Sequence, residues 1–106
     1  MRIGVVGLGY VGLVTAAVLA NNGNSVTGVD VDVSRIQSLR SGKSPIFEPE
    51  LDERIRTAKD NLEFSSDYSK LSNCETNFVY KEWYSFLIIL NGRINYAQIN
   101  AIFYSK

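Results

Sequence analysis

The segment Gly7-Leu8-Gly9-Tyr10-Val11-Gly12 constrains the fold of this chain more than any other feature. It follows an apolar β-type run, Arg2 to Val6, and opens a helical pattern, Tyr10 to Asn22. In that pattern Leu13, Val14, Ala16, Ala17, Val18 and Ala20 make a mostly apolar surface whose small residues allow close packing on a sheet. Strand, glycine turn and helix in direct succession predict the first unit of a parallel sheet. Asp30 stands at the end of the next β-type run, Ser25 to Val29, about 20 positions beyond the glycines, the spacing of a dinucleotide site. Each residue type has a reason. Gly7 permits a tight turn out of the strand, Gly9 leaves bare backbone for a pyrophosphate, and Gly12 lets the helix lie close to the strand. The N–H groups at the helix start, those of Tyr10 and Val11 among them, then face the diphosphate with the positive end of the helix dipole behind them.

An acid at position 30 accepts hydrogen bonds from the adenosine ribose hydroxyls and repels a 2′-phosphate, so the cofactor expected is NAD rather than NADP. Arg35, one turn into the next helix, has three readings: beside the adenine ribose, on phosphate, or merely solvated. Asp32 is read as a helix cap and not as a second ribose ligand.

The pattern continues. After Gly23, a natural stop for the first helix, a second helix carries Val33, Ile36 and Leu39 and ends at Gly42. Pro49 suits the first turn of a third helix, with Leu51, Ile55 and Ala58 on one face, acids at its start and Arg56 and Lys59 at its end. Leu62 to Ser65 reads as a third strand, and Asp67 as the cap of a short helix through Leu71. The expected class is α/β: a Rossmann-like parallel sheet with flanking helices, of which the chain carries the first half.

With 106 residues there is room for one domain. Eleven basic residues against eleven acidic ones argue against a nucleic-acid binder, which needs clustered positive charge. No histidine and a single cysteine, Cys74, exclude a disulfide framework and a Cys/His metal site. Cys74 is read as a small semi-buried residue. The N-terminal apolar run breaks at Gly7 and the longest one, Trp83 to Leu90, is far short of a bilayer span, so no membrane segment is expected and the cytoplasm is the expected compartment.

At Glu75 the composition shifts. More than half of the residues from Thr76 to Lys106 are Phe, Tyr, Ile, Asn or Lys, against about a fifth before them. These five share A/T-rich codons, which suggests an out-of-frame tail. The competing reading is a real β-hairpin: Phe86 to Leu90, the turn Asn91-Gly92, then Arg93 to Tyr96. The division expected is therefore 1–75 as the N-terminal half of a Rossmann NAD-binding domain and 76–106 as a divergent or frame-shifted tail.

The run MRIGVVGLGYVGLVTAAVLANNGNSVTGVDVD, followed by SGKSPIFEPELDE, closely resembles the N-terminus of the UDP-glucose and GDP-mannose 6-dehydrogenase family, over about residues 1–75. GLGYVG is common to nucleotide-sugar dehydrogenases, and Pro45 with Phe47-Glu48-Pro49 is a second, independent feature. Glu50 departs from the glycine that many members carry there. The resemblance implies NAD contacts at Val11, Asp30 and Arg35 beside the glycine turn, and a family reaction that oxidises the sugar C6 alcohol to a carboxylate with two NAD. It does not carry catalysis: the family's cysteine and its Lys, Asn and Asp partners lie beyond residue 106, and Cys74 does not match that cysteine. The family's apolar fourth strand and Pro-Thr-Pro-Thr motif, due near residue 76, are replaced by Thr76-Asn77-Phe78-Val79-Tyr80.

These points lead to an inactive NAD-binding fragment, its sugar-nucleotide partner met only in the intact enzyme. Strand 1 would be an unpaired edge open to self-association unless residues such as Phe86 to Leu90 cover it. A stand-alone NAD or adenine-nucleotide module without chemistry and a poorly folded product are the alternatives.

Overall fold

In a computed structural model, residues 1–44, 46, 48–82, 85–90 and 93–98 are described, with backbone alone from 81 onward. Pro45, Phe47 and the Asn91-Gly92 turn lie outside the described residues.

The chain alternates as its periodicity predicts. Strand β1 (Arg2–Val6), helix α1 (Tyr10–Asn21), β2 (Ser25–Val29), α2 (Val33–Arg40), α3 (Pro49–Thr57) and β3 (Leu62–Ser65) follow in order. A 3-10 helix (Tyr68–Asn73) leads to β4 (Thr76–Glu82), β5 (Ser85–Leu90) and β6 (Arg93–Gln98). One sheet holds all six strands in the order β3-β2-β1-β4-β5-β6. The first four are parallel, and β5 and β6 are antiparallel.

Helix α1 buries Gly12, Leu13, Ala16, Ala17 and Ala20, so its backbone can approach the sheet. It ends where Gly23 adopts φ 93°, with the Asn24 N–H returning to the Leu19 carbonyl, the left-handed closure that glycine favours. Helix α2 is capped by Asp32, whose side chain accepts from the Arg35 N–H. Its Ile36 and Leu39 are buried, whereas Val33, at the first helical position, is 54% exposed. Helix α3 starts on Pro49 and buries Leu51 and Ile55, with Ala58 closing the same face. These residues join Ile3, Val5, Val26, Leu62 and Phe64 in one core between the sheet and the helices.

Two elements differ from expectation. The segment after Asp67 winds as a 3-10 helix with no buried residue; Leu71 rests on the sheet at Gly4, too little packing to favour the α form. The second difference is larger. The edge of β1 is covered, not by Phe86 to Leu90, but by β4, which pairs with it in parallel from Ile3 opposite Thr76 to Val6 opposite Val79. Strand β5 lies one place further out, paired to β4. The departure of Thr76-Asn77-Phe78-Val79-Tyr80 from the family pattern therefore does not prevent a strand there, because alternation of Thr76, Phe78 and Tyr80 with Asn77 and Val79 is itself a β pattern.

Candidate functional site

The carboxyl ends of β1 and β2 meet at the glycine turn. Gly7 has φ 91°, a backbone region costly for any residue with a Cβ, and a Cβ there would also stand 2.8 Å from the Tyr80 carbonyl oxygen of β4. Its N–H donates to the Val29 carbonyl at 2.9 Å, tying the turn to β2. A Cβ on Gly12 would lie 1.9 Å from the Gly7 carbonyl oxygen, so only glycine lets α1 begin this close to the strand end. Gly9 is the opposite case: a Cβ there would meet no atom within 4 Å. It is the N-cap residue, and no side chain caps the helix. The N–H groups of Tyr10, Val11 and Gly12 belong to the first turn, which has no intrahelical acceptors. Uncapped donors and the open space beside Gly9 form a cradle that fits a diphosphate.

Asp30 is 6% exposed and works inside the fold. Its Oδ2 accepts from the Leu8 N–H at 2.7 Å and from Arg35 Nη1 at 3.1 Å, and its Oδ1 accepts from the Asp32 N–H at 2.9 Å. One carboxylate thus clamps the glycine turn, the start of α2 and the Arg35 guanidinium together. A carboxylate offers about four acceptor positions, so three donors leave one on Oδ1. Arg35 is not merely solvated: it is ion-paired to Asp30, with a third of its side chain exposed.

The structure therefore brings Gly7, Gly9, Val11, Gly12, Asp30 and Arg35 to one end of the sheet. Tyr10 is 52% exposed at the start of α1. Two aromatic neighbours were not evident from motif or spacing. Tyr68 is near enough to Asp30 to feel its charge; partial burial, and secondarily that carboxylate, push its phenol above the usual 10.0. Tyr80 lies against the turn, its hydroxyl 2.6 Å from Thr15 Oγ1, and burial raises its phenol above the ordinary value.

Cys74 is half-buried at the other end of the sheet, beside Arg2 and Ser25, the first residues of β1 and β2. A strand of this length puts it about 15 Å from the glycine turn. Burial raises its thiol above the ordinary value, which disfavours the nucleophilic thiolate. A cavity of about 460 Å³ between the C-terminal ends of α2 and α3 and strand β3 contains none of these site residues. Among the described residues, no cluster of His, Cys, Asp or Glu could hold a metal, and no helix is long and apolar enough to cross a membrane.

Comparison with known proteins agrees with this geometry. Residues 1–80 match the NAD binding domain of the UDP-glucose/GDP-mannose dehydrogenase family. A UDP-glucose 6-dehydrogenase of Bacillus subtilis is 49% identical over 72 residues, covering 66% of this chain and 16% of that protein. A UDP-glucose 6-dehydrogenase of Pseudomonas aeruginosa is 43% identical over 82 residues, or 74% of this chain and 18% of the relative. Among solved structures, a ternary complex of GDP-mannose dehydrogenase from Pseudomonas aeruginosa superposes with a TM-score of 0.73 at 35% identity, over 90% of this chain and 22% of that one. The chain thus spans less than a quarter of the length of these relatives. The match over three-quarters of its length, on the turn just described, shows that it belongs to the UDP-glucose/GDP-mannose dehydrogenase family, an oxidoreductase family, and carries that family's NAD-binding domain, with NAD as its cofactor.

Proposed function

We propose that this chain is the NAD-binding fragment of a nucleotide-sugar 6-dehydrogenase and that it binds NAD without turning over a sugar. The observation that carries the reading is the uncapped start of α1 beside Gly9, with the Asp30 carboxylate next to it. The diphosphate lies on Gly9 and the N–H groups of Tyr10, Val11 and Gly12. The remaining acceptor position of Asp30 takes a ribose hydroxyl, and Arg35, held on Asp30, flanks the ribose. When bound, NAD supplies the hydride acceptor for oxidation of an alcohol. The reaction proposed for the intact enzyme is oxidation of a nucleotide sugar at its C6 alcohol, in the cytoplasm.

Catalysis is not assigned to any described residue. The one thiol, Cys74, lies at the far end of the sheet and is disfavoured as a thiolate. Residues 1–75 supply the N-terminal half of a Rossmann domain in this reading, and 76–106 a divergent or frame-shifted tail, for which the composition change at Glu75 is the support. Translating the coding DNA in its other two frames tests that division: an apolar strand leading to a Pro-Thr motif is expected, and its absence from both frames counts against a frame shift.

The antiparallel β5 and β6, which continue the sheet beyond β4, favour a second reading: a self-contained NAD or adenine-nucleotide module without chemistry. Calorimetric titration with NAD, NADP and ATP addresses both. Saturable binding with NAD preferred over NADP is expected, equal affinity for ATP favours the second reading, and no saturable binding of any of them removes both. NADH formation from UDP-glucose by the pure chain would overturn the claim of inactivity.

A further inference from the structure

Tyr80 and Thr15 are 65 residues apart, yet their hydroxyl oxygens stand 2.6 Å from one another where β4 passes α1. Thr15 Oγ1 also donates to the Val11 carbonyl oxygen at 2.9 Å, one turn back along the helix. A threonine hydroxyl has a single hydrogen, and here it is on Val11. The direction of the other bond follows: the Tyr80 phenol donates and Thr15 accepts.

The relay ends on a particular peptide unit. The Val11 carbonyl and the Gly12 N–H are opposite ends of one rigid plane. That N–H lies in the unpaired first turn of α1, in the cradle beside Gly9. A hydrogen bond received at the carbonyl end polarises the whole unit and strengthens the N–H as a donor. It also holds the plane in orientation. Tyr80 has a second grip on the same place: its backbone carbonyl lies over Gly7, and its ring would be 3.6 Å from a Cβ on Gly12.

We propose that Tyr80, acting through Thr15, is a positioning residue for the diphosphate of the dinucleotide: it orients and polarises the Val11–Gly12 peptide so that the Gly12 N–H presents to the anion. The inference rests on the NAD reading above. It gives β4, from the part of the chain where the composition diverges, a task at the cofactor turn.

The test is NAD titration of the full chain as wild type, Tyr80→Phe, Thr15→Val and Thr15→Ser, with adenosine as a ligand that lacks the diphosphate. Tyr80→Phe and Thr15→Val are expected to weaken NAD by about three- to tenfold, the usual worth of one hydrogen bond. Thr15→Ser, which keeps the hydroxyl, retains wild-type affinity, and adenosine binds all four alike. In the free protein the Gly12 amide resonance moves upfield in both Tyr80→Phe and Thr15→Val and stays in place in Thr15→Ser, the pattern of a weaker donor; Thr15→Val leaves the aromatic ring in place, so a ring-current change does not account for it. If Tyr80→Phe fails to fold, the Thr15 pair carries the comparison. Unchanged NAD affinity in Tyr80→Phe and Thr15→Val, or an equal loss in Thr15→Ser, overturns the inference while leaving the NAD reading intact. No saturable NAD binding by the wild type removes the NAD reading and this inference with it.

Discussion

Gly9 and Gly12 are three residues apart, and a methyl group has opposite consequences at the two. At Gly12 it would collide with the Gly7 carbonyl, which is backbone and cannot swing aside, so α1 must move off the strand end. Gly12→Ala is expected to lower stability by about 1–3 kcal/mol, read as a lower melting temperature without any ligand. At Gly9 the methyl would meet nothing in the protein, and the backbone, at φ −72°, accepts any residue. Gly9→Ala should leave the melting temperature unchanged and weaken NAD, because the space it fills is the space the diphosphate needs; calorimetry on the two variants checks the split. The motif assigned the two glycines these different roles, and only the packed turn showed which atom each methyl would meet. Asp30 was similarly half-readable. Its spacing marked it as an acid at the ribose, while its bonds to the Leu8 and Asp32 N–H groups depend on how two loops close upon each other.

Helix ends were readable because capping is local. Asp32 and Asp67 each sit one residue before a helical segment and accept from the backbone just ahead. The hydrogen bond from the Ser34 side chain holds Asp32 below its ordinary 3.8, and the one from Ser69 does the same for Asp67. A carboxylate with a lowered folded value stabilises the fold above its unfolded value and loses that contribution as pH falls through the folded one. Stability should therefore decline below about pH 4, and Asp32→Asn should flatten that decline, as thermal melts between pH 5 and pH 2 would show. Strand pairing is another matter. A chain ending at Glu75 would lack β4 and leave the edge of β1 open, so it is expected to self-associate on size exclusion where the full chain does not. A monomeric, folded 1–75 chain would contradict the role of β4 as the edge cover.

For the whole molecule, ligand linkage is the most direct observable. A dinucleotide that binds only the folded chain stabilises it by about 2.7 kcal/mol at a hundredfold excess over Kd. NAD should raise the melting temperature by several degrees and NADP by less, and equal shifts from both would remove Asp30 as the discriminating group. The sequence by itself determined the alternation of β1 through β3 with α1 to α3, the glycine turn and the acid at 30. It could do so because period, caps and turn residues act within a few positions of one another, and a local pattern states which face of an element is buried. The tertiary structure alone decided that Thr76 pairs opposite Ile3, that β5 and β6 extend the sheet beyond β4, and that Tyr80 reaches Thr15. An alternating segment announces a strand but not its neighbour: the partner is set by which open edge remains once the rest has packed, a choice made between residues some seventy positions apart.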